Sequence, residues 1–429
     1  MKIYDIYQIF KQYPNIVTDS REVVRDSIFV ALKGDTFDGN KFAVPALEQG
    51  AAYAIADDKS LAANPKIIVV DNALETLQNL AACHRNELGL PVLAITGSNG
   101  KTTTKELVHR VIAKKYNAAV TQGNLNNHIG VPKTLLKMTP DNNFAIVEMG
   151  TNHFGEITTL CKIANPDFAL INNIGKAHLE FFGDINGVAK AKGEMFEFLS
   201  AKNGKVFVNT DIDIIFQLAQ KHIKTENIVQ YNQQKYGVKI LPNDDDNPFL
   251  RFTFDNINVN TNLIGKYNIE NALAAVAIGK YFGIADTDIA NAIETYAPEN
   301  NRSQQIKTER NILYMDAYNA NPTSMQASLK HFISSNAKNK MLILGDMREL
   351  GESSENEHDN IVKIITEAEI KNVLLVGECF TKAASDTAFL CFADVDECIK
   401  YINSRNIESQ TILIKGSHGI HLEKIEKFL

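Results

Sequence analysis

The segment Pro91-Val-Leu-Ala-Ile-Thr-Gly-Ser-Asn-Gly-Lys-Thr-Thr-Thr104 is an apolar run that ends in a short loop of small and hydroxyl residues around one lysine. Gly97 and Gly100 let backbone N–H groups turn toward an anion, Lys101 can neutralise phosphate charge, and Thr102 can ligate Mg²⁺ at the start of a helix whose dipole also favours the anion. Thr96, Gly97, Ser98, Asn99, Gly100, Lys101, Thr102 and Thr103 are therefore the candidate nucleotide-phosphate contacts. The loop is shorter than the usual GxxxxGK[ST] pattern, because Ile95 stands five before Gly100 and the first glycine, Gly97, only three before it. A second metal-side group is expected from a neighbouring strand end, and Ala145-Ile-Val-Glu148 offers the Glu148 carboxylate as a Mg²⁺ ligand. No NKxD guanine signature is present, so the nucleotide is expected to be ATP.

The elements around the loop suit it. Val92 to Thr96 has the composition of a buried strand, and Thr103 to Lys115 places Leu107, Val108, Val111 and Ile112 on one helical face. Further strands are predicted at Phe144 to Met149, Phe168 to Ile174 and Lys205 to Asn209, alternating with helices as a parallel sheet requires. Asn243 to Pro248 reads as a turn before an antiparallel appendage, Phe249 to Val259. Upstream, Ser27 to Lys33 and Tyr53 to Ala56 read as strands of a small α/β unit, with a helix over Phe42 to Gly50.

After a polar linker, Tyr296 to Ser303, strands are expected at Asn311 to Met315, Met341 to Leu344, Val373 to Val376 and Thr411 to Ile414. Three of them run into Gly345, Gly377 and Gly416, where a doubly wound sheet places its ligand loops. The expected fold is α/β in three domains: residues 1–87, a small α/β unit; 88–298, a mostly parallel-sheet P-loop ATPase domain; and 299–429, a Rossmann-like doubly wound domain.

A chain of 429 residues with 45% hydrophobic and 22% charged residues has ample material for such cores. Its formal net charge of -7 argues against a broad nucleic-acid or anionic-membrane surface, so neither is expected as a partner. Five cysteines without a CxxC pair, no signal-peptide pattern and no spanning apolar run fit a reduced, cytoplasmic protein, expected to be a monomer.

Other stretches outrun these generic patterns. They are Gly123-Asn-Leu-Asn-Asn-His-Ile-Gly-Val-Pro132, Glu148-Met-Gly-Thr-Asn-His-Phe-Gly-Glu156, Ala177-His-Leu-Glu-Phe-Phe-Gly183, Ala189-Lys-Ala-Lys-Gly-Glu194, Gly265-Lys-Tyr-Asn-Ile-Glu-Asn271, Asp316-Ala-Tyr-Asn-Ala-Asn-Pro322, Gly345-Asp-Met-Arg-Glu-Leu-Gly351 and Lys415-Gly-Ser417. Together with the phosphate loop, and in this order, they closely resemble the Mur ligases of peptidoglycan synthesis across essentially the whole chain. Within that family they are most similar to the branch acting on UDP-N-acetylmuramoyl-tripeptide and D-Ala-D-Ala.

The resemblance implies an ATP-dependent amide ligase that activates a carboxylate as an acyl phosphate before an amine attacks. It implies Lys101, Lys192, His178 and Glu148 as catalytic residues, and two Mg²⁺ ions held by Thr102, Glu148, His178 and a carboxylated lysine. For that lysine the candidates Lys190 and Lys192 lie about 200° apart on a helix, so only one can face inward. Lys192 shares its face with Val188, Met195, Phe196 and Leu199, and Lys190 with Asn186, Glu194 and Glu197. An apolar setting favours the neutral amine that CO₂ needs, which selects Lys192.

The resemblance further implies Asn268 and Asn271 toward adenine, with Arg302 and Asp316 contacting the nucleotide from the C-terminal side. It implies Ser20, Arg21, Lys33, Gly34, Asp38, Gly39 and Asn40 at the uridine-diphosphate group, and Asn124, Asn126 and Asn127 at sugar and peptide. Tyr318, Asn319, Asn321 and the stretch Asp346 to Gly351 are expected at the dipeptide. His128 and His418 depart from the family pattern. The rival expectations are the adjacent-step ligase, whose Asp-Asn-Pro-Arg motif is absent here, a folylpolyglutamate-type ligase, and an ATP-gated module without chemistry, which would have lost Lys192, Glu148 or His178.

Overall fold

The computed structural model describes residues 1–242, 247–299 and 301–429. The expected turn at 243–248 therefore falls largely outside the described residues, as does residue 300 of the expected linker.

Short apolar runs build three α/β units. The first has a four-stranded parallel sheet, β1 (Asn15–Val17), β2 (Ser27–Val30), β3 (Tyr53–Ala56) and β4 (Ile67–Val69), paired in that order. The helix Ile3–Gln12 lays Ile6, Tyr7 and Phe10 into the core beside it. A second helix, Ala73–Leu88, starts at Asn72, whose side chain accepts the Glu75 N–H, and stops at Gly89 in the left-handed region. Its Leu77 and Leu80 share one apolar core with Phe10 of the first unit and with Val131, Leu135 and Leu160 of the next. At this seam the buried His84 ring reaches Tyr7 Oη at 3.2 Å and the Met138 carbonyl at 2.9 Å.

The central unit is a six-stranded, wholly parallel sheet of β5 (Val92–Thr96), β6 (Ala118–Val120), β7 (Phe144–Glu148), β8 (Phe168–Ile171), β9 (Lys205–Asn209) and β10 (Ile228–Tyr231). The strand order is β10-β9-β8-β5-β7-β6, so the phosphate loop leaves the sheet between β7 and β8. The strands are buried on both faces, as their unbroken apolar character requires. An antiparallel appendage follows, in which β11 (Lys239–Ile240) and β13 (Ile257–Ile264) flank β12 (Phe249–Phe254). The helix Ile269–Tyr281, apolar on nearly every side, then packs against the phosphate-loop helix Lys101–Ile112.

The third unit is a six-stranded sheet of β14 (Gln304–Lys307), β15 (Ile312–Asp316), β16 (Lys340–Gly345), β17 (Asn372–Val376), β18 (Leu390–Phe392) and β19 (Thr411–Lys415), in the order β14-β15-β19-β16-β17-β18. All pairs are parallel except β14 with β15. The short edge strands β6, β10, β14 and β18 have no counterpart in the sequence expectations, because edge strands need bury little. All five cysteines are unpaired.

Three strands end earlier than expected: β2 stops at Val30, and two strands of the central sheet are also short. β7 stops at Glu148 and β8 at Ile171, because the residues beyond them leave the ladder to serve the phosphate loop. The Asn172 amide donates to the Asn99 carbonyl at 2.7 Å, and the Asn173 side-chain oxygen accepts the Asn99 N–H at 2.8 Å.

Candidate active site

The C-terminal ends of β5, β7 and β8 face that of β15 across a cleft of about 1020 Å³, the position at which open α/β sheets bind ligands. Ser98, Asn99, Gly100, Lys101, Thr102 and Thr103 form one wall. Lys101 folds back to donate to the Gly97 carbonyl at 2.8 Å. Burial pushes its ammonium below the ordinary lysine range, partly offset by the Glu148 carboxylate. Gly100 takes φ 70°, and the Asn271 amide fills the space where a β-carbon would sit. Asn271 is held by Thr104 Oγ1 at 2.9 Å and donates to Asn268 Oδ1 at 2.8 Å. Asn268 occupies the cap position of its helix, yet its side chain donates backward to the Ile264 carbonyl at 2.8 Å, so capping is not its role.

Glu148 is 1% exposed. One carboxylate oxygen accepts from Thr102 Oγ1 at 2.9 Å and the other from Asn126 Nδ2 at 2.8 Å, while its backbone N–H donates to Thr121 Oγ1 at 3.0 Å. A hydroxyl and a carboxylate side by side are the hard oxygen donors that Mg²⁺ takes. His178 adds an orphan to this set. Its buried Nδ1 lies 2.6 Å from Glu349 Oε2, an ion-pair separation, but off the N–H axis, so no aligned hydrogen bond satisfies it. His178 holds the Glu349 carboxyl below its usual range. Both residues have left-handed backbones, at φ 54° and 63°, a strained state for side chains of this size.

The helix Ile185–Ala201 resolves the two lysines. Lys192 is 1% exposed and has no hydrogen-bond or ion-pair partner among the described residues. Burial, and then the nearby charge of Lys101, hold its pKa well below the lysine range, which favours the amine over the ammonium. Lys190 is exposed, with its ammonium 5.2 Å from the Phe154 ring. The residues present fit Mg²⁺ and a carboxylated lysine.

The opposite wall comes from the third unit. Arg302 stacks on Tyr318, with Cζ 3.5 Å from the ring centroid. Asp316 is anchored by Lys415 at 2.6 Å, Ser328 Oγ at 3.0 Å and the Ser303 N–H at 3.2 Å. Asn319 Oδ1 accepts the Ala320 N–H. Besides the His178–Glu349 pair, contacts that draw the walls together include Asn321 Nδ2 to Asn99 Oδ1 at 2.7 Å, the Lys176 N–H to Thr323 Oγ1 at 3.0 Å, Lys176 Nζ to Glu357 at 2.5 Å, and the Glu180 N–H to the Glu349 carbonyl at 3.1 Å.

Several expected site residues do not line this cleft. Thr96 is buried at the end of β5, bonded to the Met149 carbonyl, and a β-carbon on Gly97 would overlap the Asn172 amide, so both shape the loop from behind. Asn124 is exposed outside it, whereas Asn127 lines it while its oxygen accepts the Ile129 and Gly130 N–H groups. Asp346 turns inward, its carboxylate accepting the N–H groups of Cys379 and Phe380 at 3.0 and 2.9 Å, so it is closed to a ligand there. Arg348 and Glu349 reach the cleft instead.

The first unit's candidates lie apart from it. Arg21 is paired with Asp19, with Ser20 beside it, and Lys33 is paired with Asp57. Asn40 donates to both Asp38 and Asp57, Gly34 faces the Phe37 ring, and Gly39 packs on the Leu32 backbone. The sequence reading passed over Lys105 and Asn173, and gave Lys415 no role of its own. Only Lys105 carried a local signal, because it falls three residues before Val108 on the buried helix face.

Known proteins share this arrangement. The Mur ligase family catalytic domain matches residues 12–95, the Mur ligase middle domain 95–279, and the Mur ligase glutamate ligase domain 301–418. A UDP-N-acetylmuramoyl-tripeptide–D-alanyl-D-alanine ligase from Bacillus subtilis is 35% identical, covering 96% of this chain and 92% of its own. The chain belongs to the Mur ligase family. Two solved structures resemble this Mur ligase along its length. MurF from Acinetobacter baumannii has a TM-score of 0.84 at 30% identity, covering 96% of this chain and 92% of its own. A MurF ligase from Thermotoga maritima, in complex with ADP, also has a TM-score of 0.84, at 25% identity and 96% coverage of both chains. This Mur ligase is an amide-forming ligase of three α/β domains.

Proposed function

We propose that this Mur ligase uses ATP to add D-alanyl-D-alanine to UDP-N-acetylmuramoyl-tripeptide through an acyl phosphate, a cytoplasmic step of peptidoglycan precursor synthesis carried out by a monomer. The observation that carries the reading is the convergence of Lys101, Glu148 and His178 on one cleft, with the bare amine of Lys192 close enough to feel the Lys101 charge. The named relatives support the same choice of substrates.

In this reading the phosphate loop and Lys101 hold the ATP phosphates, Asn268 and Asn271 face adenine, and Arg302 and Asp316 close on the nucleotide from the third domain. Thr102 and Glu148 at the loop, and His178 with a carboxylated Lys192, would hold two Mg²⁺ ions, whose charge would stabilise the crowded phosphates. Asn126, Asn127, Tyr318, Asn319 and Asn321 are left to orient the two peptides. The Asn321–Asn99 and Lys176–Glu357 bridges keep the walls together, which protects an acyl phosphate from water. Residues 1–87 carry the uridine-diphosphate site through Ser20, Arg21, Lys33 and the 34–40 turn, 88–298 the ATPase site, and 299–429 the closing domain.

The test is phosphate release from ATP, Mg²⁺ and UDP-N-acetylmuramoyl-tripeptide with D-Ala-D-Ala, against L-glutamate and diaminopimelate as rival amines. Turnover with the dipeptide alone is expected. Turnover with a rival and not with the dipeptide would sink the assignment.

A further inference from the structure

The phosphate-loop helix carries a second lysine that the reaction does not use. Lys105 has a side-chain exposure of 0% and, unlike Glu148, does not line the cleft. Its ammonium lies 2.5 Å from the Thr121 carbonyl oxygen, 3.0 Å from Glu106 Oε1 and 3.9 Å from Glu148 Oε2. Thr121 also accepts the Glu148 N–H on its hydroxyl, so one residue fixes both the cation and the carboxylate. A buried ammonium is retained only where it is paired, and here the pairing reaches through to the carboxylate that faces the cleft.

We propose that Lys105 is the built-in counter-charge of Glu148, a positioning residue that stabilises the buried carboxylate before a divalent cation arrives and weakens that cation's binding once it is there. The inference rests on the placement of Mg²⁺ at Thr102 and Glu148 given above. Water is excluded around Glu148, so charges on its two sides act on one another strongly. Without Lys105 the empty site loses one of its two compensating charges and keeps only Lys101, whereas the metal-bound site also has the cation. Removal of the lysine therefore destabilises the free protein more than the metal complex, and affinity rises by linkage. If Lys105 instead only ties its helix to Glu106 and Thr121, its loss leaves metal affinity unchanged, or lowers it by letting Glu148 move.

The experiment is Mn²⁺ binding to the full-length protein, read from the loss of the free-ion paramagnetic resonance signal, with Mn²⁺ as sole added ligand. Lys105→Met is expected to bind about threefold to tenfold more tightly than wild type, with Lys105→Arg near wild type. Thermal melting gives a second readout, in which Lys105→Met melts below wild type without metal and the gap narrows as Mn²⁺ rises. If Lys105→Met does not fold, Lys105→Gln takes its place with the same expectation. Equal or weaker Mn²⁺ binding in the charge-removed variant would overturn the proposal. Glu148→Gln separates the two readings: if it still binds Mn²⁺ like wild type, the metal placement fails, whatever Lys105 does.

Discussion

Two buried lysines lie behind residues that line the cleft, Lys105 beside Glu148 and Lys192 near Lys101, and are treated in opposite ways. On the phosphate-loop side, Lys105 is surrounded by a carbonyl and two carboxylates. On the helix Ile185–Ala201, Lys192 has no hydrogen-bond or ion-pair partner among the described residues and the Lys101 charge nearby. Burial alone therefore does not assign a role, because the same side chain is given acidic partners in one setting and none in the other. What differs is which charges the fold brings to the nitrogen. A paired buried cation is part of the scaffold, and a bare buried amine is available for chemistry.

That contrast can be broken from either side. The largest effect is expected at Lys192. Lys192→Ala should lose on the order of 10³-fold in kcat, measured as phosphate release at saturating substrates, and added bicarbonate should not restore it. Recovery with bicarbonate would show that the amine is not needed as such. Next, Lys105→Met should cost about 3–5 kcal/mol in urea denaturation without metal, as expected when one member of a buried ion pair is removed. A loss similar to that of a surface substitution would mean that the cation is not compensating Glu148.

A smaller effect is expected at the seam between the first two domains. Burial lowers the His84 pKa below its ordinary 6.5, so the ring is neutral in the fold while the unfolded chain takes up a proton. Stability from this residue is complete above pH 6.5 and falls as the pH drops below it; the slope of unfolding free energy against pH should flatten in His84→Gln. An unchanged slope would remove His84 as its source. The smallest effect belongs to Lys190. Lys190→Ala should stay within about 0.5 kcal/mol of wild type in stability and near wild type in turnover, because the side chain is exposed. A collapse of activity there, with Lys192→Ala intact, would reverse the comparison.

Much of this was legible in the chain. The phosphate loop is announced by its glycines, its lysine and its flanking strand and helix, all within 22 residues of sequence from Val92 to Ala113. Helical periodicity alone separated Lys192 from Lys190, since Val188, Met195, Phe196 and Leu199 are all buried with Lys192. Asp346 was misplaced for a physical reason. Its carboxylate is claimed by the N–H groups of Cys379 and Phe380, which a separate strand and helix deliver. The polar groups of the first domain were legible as polar, but not as already partnered, because Asn40 and Lys33 meet Asp57 only across the folded sheet.

The sequence by itself determined the chemistry on offer: a phosphate loop, a strand-end carboxylate, a histidine and one inward lysine, together with the order of three α/β domains. Those features are local, set by residue type and by the 3.6- and 2-residue periods of helix and strand. Only the tertiary structure decided which charges remain uncompensated. Lys105 meets Glu148, His178 meets Glu349, and Asn99 meets Asn321 after the chain has closed on itself. Electrostatic compensation depends on distance and on the exclusion of water, and folding sets both.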